Sequence, residues 1–138
     1  MKPGERILSK LESCRTSYLR LIELRAALAK PEVDPVVWAA AERFLQVCIE
    51  RAIDVGEMVI SWKRLPRPEE NRQVFLVLAE AGLLDASLAQ RLARAAGLRN
   101  LLVHQYSGLD PARIRKAVLQ DLPDLEAFYE QASRLALT

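Results

Sequence analysis

The sequence predicts an all-α fold of about five helices, and three observations predict it. Apolar residues recur at three- and four-residue steps, the period of an amphipathic helix rather than of a strand. Aspartate–proline pairs at 34–35 and 110–111 supply helix starts, and Gly82 and Gly108 supply stops. No stretch reads as a strand. At 138 residues the chain is expected to form one domain, 1–138, burying roughly two-thirds of its extended surface.

The elements follow in order. Ile7, Leu8, Leu11, Tyr18, Leu21, Ile22 and Leu28 lie along one helical stripe, which predicts a first helix over 5–29. The PEVDP stretch at 31–35 stops it. Asp34 is a good N-cap and Pro35 a good first helical residue, so a second helix starts there and runs to about Lys63. RLPRPEEN, with prolines at 66 and 68, is a loop. A short helix over 72–81 ends at Gly82, and Asp85 caps a fourth helix through about Tyr106. Gly108 ends that helix, Asp110 caps the next and Pro111 opens it. The last helix reaches almost to Thr138, with a kink or short break expected near Asp121 because Pro123 lies inside it.

Composition narrows the function. Hydrophobic residues at 51% and charged residues at 28% are ordinary for a soluble globular chain. No apolar run has signal-peptide length or approaches a membrane span, so a cytoplasmic protein with no membrane association is expected. Cys14 and Cys48 form no CxxC spacing and read as small buried hydrophobes; two cysteines with one histidine do not make a zinc site. A net charge of +2 does not announce a nucleic-acid binder, and DNA is not an expected partner. Arg91, Arg94, Arg99, Arg113, Arg115 and Lys116 nevertheless crowd one region, either as a positive field for phosphates or as a solvated face. Arg64 and Arg67 in the proline loop have the same two readings. Trp38 and Trp62 are read as core or interface residues, with base stacking as the alternative.

The stretch RNLLVHQY, at 99–106, holds the only histidine. On a helical wheel, Leu88, Leu92 and Ala95 or Ala96 lead to the line that Arg99 occupies, shared with Val103 and Tyr106. Asn100 and His104 lie one turn apart beside it, and Leu98, Leu101 and Leu102 lie opposite. A charge on a packing stripe is costly unless it is paired or set at a cavity or interface. Two apolar sides also call for two packing partners, and a second subunit would supply one. Arg99 is therefore either an ion pair with Glu50 or Asp54 across the bundle, or a functional cation at a cleft between protomers. Gly-rich phosphate loops, HExxH and GxSxG are absent.

RNLLVHQY resembles the arginine, four residues, histidine, any residue, tyrosine signature of HEPN-domain proteins, specifically the HepT-like ribonuclease toxins. LQVCIERAID, with Gln46, Glu50 and Asp54 on one face, resembles that family's second helix. The run from Asn71 to Tyr106 resembles its short helix, turn and motif helix, and the resemblance covers about residues 5–135. It implies an up-and-down bundle that forms a two-fold dimer and cuts RNA without a metal or other cofactor. It implies Arg99 and His104 as catalytic, with Asn100, Glu50 and Asp54 in support. It also implies a minimal nucleotidyltransferase antitoxin that adenylylates Tyr106.

The side chains suit that chemistry. An imidazole titrates near ~6.5 and can exchange a proton at neutral pH. A guanidinium can fork two hydrogen bonds onto phosphoryl oxygens as charge builds on them. The alternative reading is a non-catalytic helical subunit that docks on a nucleotidyltransferase and holds nucleotide in the Arg–His cleft.

Overall fold

The computed structural model describes residues 1–104 and 110–138, with His104 described through its backbone alone. Every regular element among the described residues is helical: α1 (Pro3–Leu28), α2 (Pro35–Trp62), α3 (Gln73–Glu80), α4 (Ala86–His104), α5 (Pro111–Lys116), a π turn (Ala117–Asp121) and α6 (Leu122–Ala136). The expected boundaries hold to within about two residues. The end of the fourth helix, together with the stop expected at Gly108, falls outside the described residues.

Side chains at the expected caps start the helices. An Asp34 oxygen accepts the Val36 amide at 2.8 Å. Asp85 accepts the Leu88 amide at 3.0 Å, and Asp110 accepts the Ala112 amide at 3.0 Å. The ends of α2 and α3 share one closure. Leu65 N–H reaches back to the Ile60 carbonyl and Leu83 N–H to the Leu78 carbonyl, both at 2.9 Å. The residue in the left-handed conformation is Gly82 (φ 76°) after α3 but Arg64 (φ 54°) after α2. A Cβ is unfavourable there, so α2 ends under local strain that α3 avoids.

α5, the π turn and α6 run on as one helical rod, and the break expected near Asp121 takes the form of a widened turn. Pro123 has no N–H to offer the Leu119 carbonyl four residues back, so the ladder loses a bond there. Arg25 of α1 replaces it, donating from Nη2 to that carbonyl at 3.2 Å. A second arginine joins the same two rods. Arg115 donates to the carbonyls of Leu28 at 2.9 Å and Lys30 at 3.2 Å, closing the end of α1, while its guanidinium lies 5.4 Å from the Trp38 ring centroid.

α2 packs against both α1 and α4, and α6 closes the ring from the other side. Leu21, Leu28, Ile49, Leu92, Leu122 and Phe128 are almost wholly buried between them. Each such side chain contributes about 1.5–3 kcal/mol by leaving water. The short α3 is held through an edge-on contact of Phe75 with Phe128, their ring centroids 5.4 Å apart. Gly56 lets α3 approach α2 closely, because a Cβ there would collide with Val74. The ring leaves the outer face of α2 uncovered between α1 and α4, and the polar stripe of α2 lies there.

Candidate active site

Two helices build the site. On α2, Gln46 and Glu50 are one turn apart, so both project from the same side of the helix. Gln46 Nε2 donates to Glu50 Oε1 at 3.0 Å, fixing the carboxylate before anything else touches it. From α4, Arg99 brings Nε to 3.1 Å and Nη2 to 3.0 Å of that same oxygen. Its Nη1 donates to the Asn100 side-chain oxygen at 3.2 Å. The Arg99 and Glu50 side chains are 24% and 31% exposed, so the pair is half-sheltered yet open to a ligand from solvent.

Nε and one Nη1 N–H are hydrogen-bonded and Nη2 lies against Glu50, so among the described residues part of the five-donor fork stays available for an anion. An arginine on an apolar stripe is thereby accounted for without the charge being sealed away. Of the two readings of Arg99, the pairing with Glu50 exists, and it leaves the second reading open because donors stay available among the described residues.

The remaining site expectations divide. Asn100 joins the cluster. Asp54 does not reach Arg99; its carboxylate lies 3.5 Å from Arg51 and 4.0 Å from Lys10, on the α1 side of α2. The spacing that puts Asp54 one turn beyond Glu50 is real, but the cations of α1 and of its own helix are nearer to it than α4 is. His104 closes α4 one turn beyond Asn100; its side chain, and the whole of Tyr106, lie outside the described residues.

The basic crowd of the C-terminal half resolves into individual partners. Arg91 meets Asp124 and Ser87 at 2.9 and 2.7 Å, Lys116 meets Asp121 at 3.2 Å, and Arg115 is taken up in closing α1. Arg94 and Arg113 have neither an ion-pair nor a carbonyl partner among the described residues; they sit on the rim of a groove of about 870 Å³ between α4 and the α5–α6 rod. Leu92, Leu98, Leu101 and Leu125 line its floor. The apolar side of α4 opposite Arg99 is thus only partly covered by the bundle, with Leu98, Leu101 and Leu102 half-buried.

The tryptophans serve cations rather than an open platform. Lys63 Nζ lies 3.9 Å from the Trp62 ring centroid, and Arg115 covers Trp38. Cys14 and Cys48 are buried free thiols, as expected. Burial pushes Cys14 up to about 11 and Cys48 up to about 12, so neither offers a thiolate near neutral pH. Burial first, and then the hydrogen bond to Glu126, raise Tyr18 to about 12.

One polar cluster went unnoticed in the sequence: Arg6, Ser9, Lys10, Ser13 and Arg51 around a small cleft between α1 and α2. The three-, four- and seven-residue spacing along α1 was legible, but the register that brings Arg51 to it was not.

These features define a class of protein, an all-α bundle whose fourth helix carries an ion-paired arginine and, five residues on, a histidine. A family profile described as Ribonuclease HepT-like matches residues 16–132, and the chain belongs to that family. It is 30% identical to a tRNA nuclease HepT of Aphanizomenon flos-aquae over 97 residues, which are 70% of this chain and 66% of that protein. It is 33% identical to an mRNA nuclease HepT of Shewanella oneidensis over 86 residues, 62% of this chain and 65% of that protein. The matched regions thus span just under two-thirds of either relative. Its fold superposes with a TM-score of 0.83, at 25% identity, on a tri-AMPylated Shewanella oneidensis HEPN toxin in complex with an MNT antitoxin. That match covers 95% of this chain and 97% of the toxin.

Proposed function

We propose that this protein is a metal-independent endoribonuclease toxin of the cytoplasm, cutting RNA with Arg99 and His104 and silenced by adenylylation of Tyr106. The observation that carries the reading is the Arg99 guanidinium of the family's motif helix, fixed by Glu50 and Gln46 with part of its donor fork left for an anion among the described residues. The names of the relatives, tRNA and mRNA nuclease, support RNA as the substrate.

In this mechanism the ribose 2′-hydroxyl attacks its own 3′ phosphorus and the bond to the 5′-oxygen of the next nucleotide breaks, leaving a 2′,3′-cyclic phosphate and a 5′-hydroxyl. His104 exchanges a proton with the reacting oxygens, and the N–H groups of Arg99 not used by Glu50 and Asn100 hold the phosphoryl oxygens as their charge rises. Glu50 keeps the guanidinium in place, and Asn100 orients its Nη1 end. Asp54 belongs to the supporting set only at a distance, through its ion pairs beside Glu50 on α2.

A second copy of the chain would cover the half-buried Leu98, Leu101 and Leu102 and bring both motif helices to one cleft. The control partner is a minimal nucleotidyltransferase. The Tyr106 phenol oxygen would attack the α-phosphorus of ATP with loss of pyrophosphate, placing an anion and a base beside Arg99. The MNT antitoxin bound to the tri-AMPylated neighbour supports that pairing.

The test is cleavage of a mixed RNA pool in the presence of chelator. Arg99→Ala and His104→Ala should each lower the rate about 10²–10⁴-fold with the helical spectrum unchanged. Equal slow cutting by wild type and both variants would replace the enzyme with a nucleotide-holding subunit. Tyr106→Phe should resist both modification and silencing by the nucleotidyltransferase with ATP.

A further inference from the structure

The cleft between α1 and α2 carries more positive charge than its own carboxylate can satisfy. Arg6, Ser9, Lys10 and Ser13 line one wall, at the spacing of a single helix face, and Arg51 and Met58 line the other. The space between them is about 310 Å³ and open to solvent. Asp54 is the only carboxylate paired with these cations among the described residues, at 3.5 Å from Arg51 and 4.0 Å from Lys10. Elsewhere in the molecule committed ion pairs close to 2.9 Å, as Arg91–Asp124 and Arg20–Glu23 do. Charge-assisted bonds normally sit near 2.7–2.9 Å, so Asp54 is shared loosely rather than bound. The Arg51 side chain is 39% exposed, and its covered Nε has no hydrogen-bond partner among the described residues. A buried donor without an acceptor costs about 1–3 kcal/mol, and such a group in a native fold points to a missing partner.

We propose that this cleft is a phosphate-binding site. Arg51 and Lys10 would bind the oxyanion, with Arg6 at the mouth and the Ser9 and Ser13 hydroxyls as neutral donors. A merely solvated basic face would leave Arg6, Lys10 and Arg51 to share one loosely held carboxylate, whereas a tetrahedral anion facing the exposed end of the Arg51 side chain balances them. Glu50 and Asp54, on successive turns of α2, connect the cleft to the Arg99 cluster. The phosphate has two possible sources, a flanking phosphodiester of a bound RNA strand or the phosphates of a free nucleotide. The first source rests on the ribonuclease reading; the site itself does not.

The test follows the Arg51 Nε–Hε resonance of the full chain by NMR, assigned by its loss in Arg51→Lys. Three probes are titrated separately: inorganic phosphate, ATP, and a 2′-O-methyl oligoribonucleotide that cannot be cleaved through its 2′-oxygen. A shift with inorganic phosphate and with either larger probe supports the proposal, and the larger probe that acts identifies the source. If the strand is the source, Arg6→Ala with Lys10→Ala should weaken oligonucleotide binding and lower its salt slope by about 0.7, the value for one phosphate contact on a single strand. An Arg51 resonance unmoved by all three probes overturns the proposal. Because an uncleavable strand is used, that result is distinct from a failure to cut RNA.

Discussion

Removing Glu50 separates two roles that the geometry assigns to it. Two Arg99 donors converge on one Glu50 oxygen at 3.0 and 3.1 Å, with the side chains 24% and 31% exposed. Solvent screening at that exposure limits the pair to about 1 kcal/mol, so Glu50→Ala should lower the melting temperature by only about 4 °C. Catalysis should suffer more than stability does. Without its anchor the guanidinium regains rotamers, and about tenfold in kcat corresponds to a loss of roughly 1.4 kcal/mol of transition-state stabilisation. Glu50→Gln keeps an oxygen at the same place but removes the charge that competes with phosphate. It should hold kcat within about threefold while lowering KM. Initial rates on a fluorogenic RNA, measured beside thermal melts, read both effects. If Glu50→Ala leaves kcat unchanged, or if the two variants behave alike, Glu50 only neutralises Arg99 and the positioning argument fails.

Three further outcomes follow from the fold. Arg64→Gly should raise stability by roughly 0.5–1 kcal/mol, since Arg64 alone among the described non-glycine residues has positive φ; a lower melting temperature would refute the strain. Arg115→Ala should cost about 1–2 kcal/mol through two lost carbonyl bonds and the Trp38 stack, and Arg115→Lys should fail to restore it because an ammonium lacks the planar fork. Stability should also fall at alkaline pH. The folded chain holds its thiol protons up to about 11 at Cys14 and about 12 at Cys48, whereas unfolded thiols ionise near 9, so the advantage is complete below pH 9 and is lost as pH rises through the folded values. A urea midpoint equal at pH 8 and pH 10, where about 3 kcal/mol should be missing, would contradict the burial of both thiols.

Local chemistry along the chain determined the helices. Asp34, Asp85 and Asp110 cap in the structure as their sequence context predicts, because an aspartate before a proline or an apolar-periodic run satisfies amides only two or three residues away. Pro123 announced a break by the same local logic, since the N–H it lacks belongs to its own helix. That Arg99 stands where an apolar residue should continue was also legible, and so was a carboxylate stripe on α2 able to meet it. The choice between Glu50 and Asp54 was not legible. Both lie on the same face of α2, and only the packing of α1 on one side and α4 on the other sends Asp54 to Lys10 and Arg51 and leaves Glu50 for Arg99. Charge counting along the chain likewise saw Arg115 as part of a basic crowd, when its task is to close α1, eighty-seven residues away from Leu28. Periodicity carries no information on which helix lies opposite or in what register. Those are set by the joint burial of Leu21, Ile49, Leu92 and Phe128, residues far apart in the chain that only the folded bundle brings together.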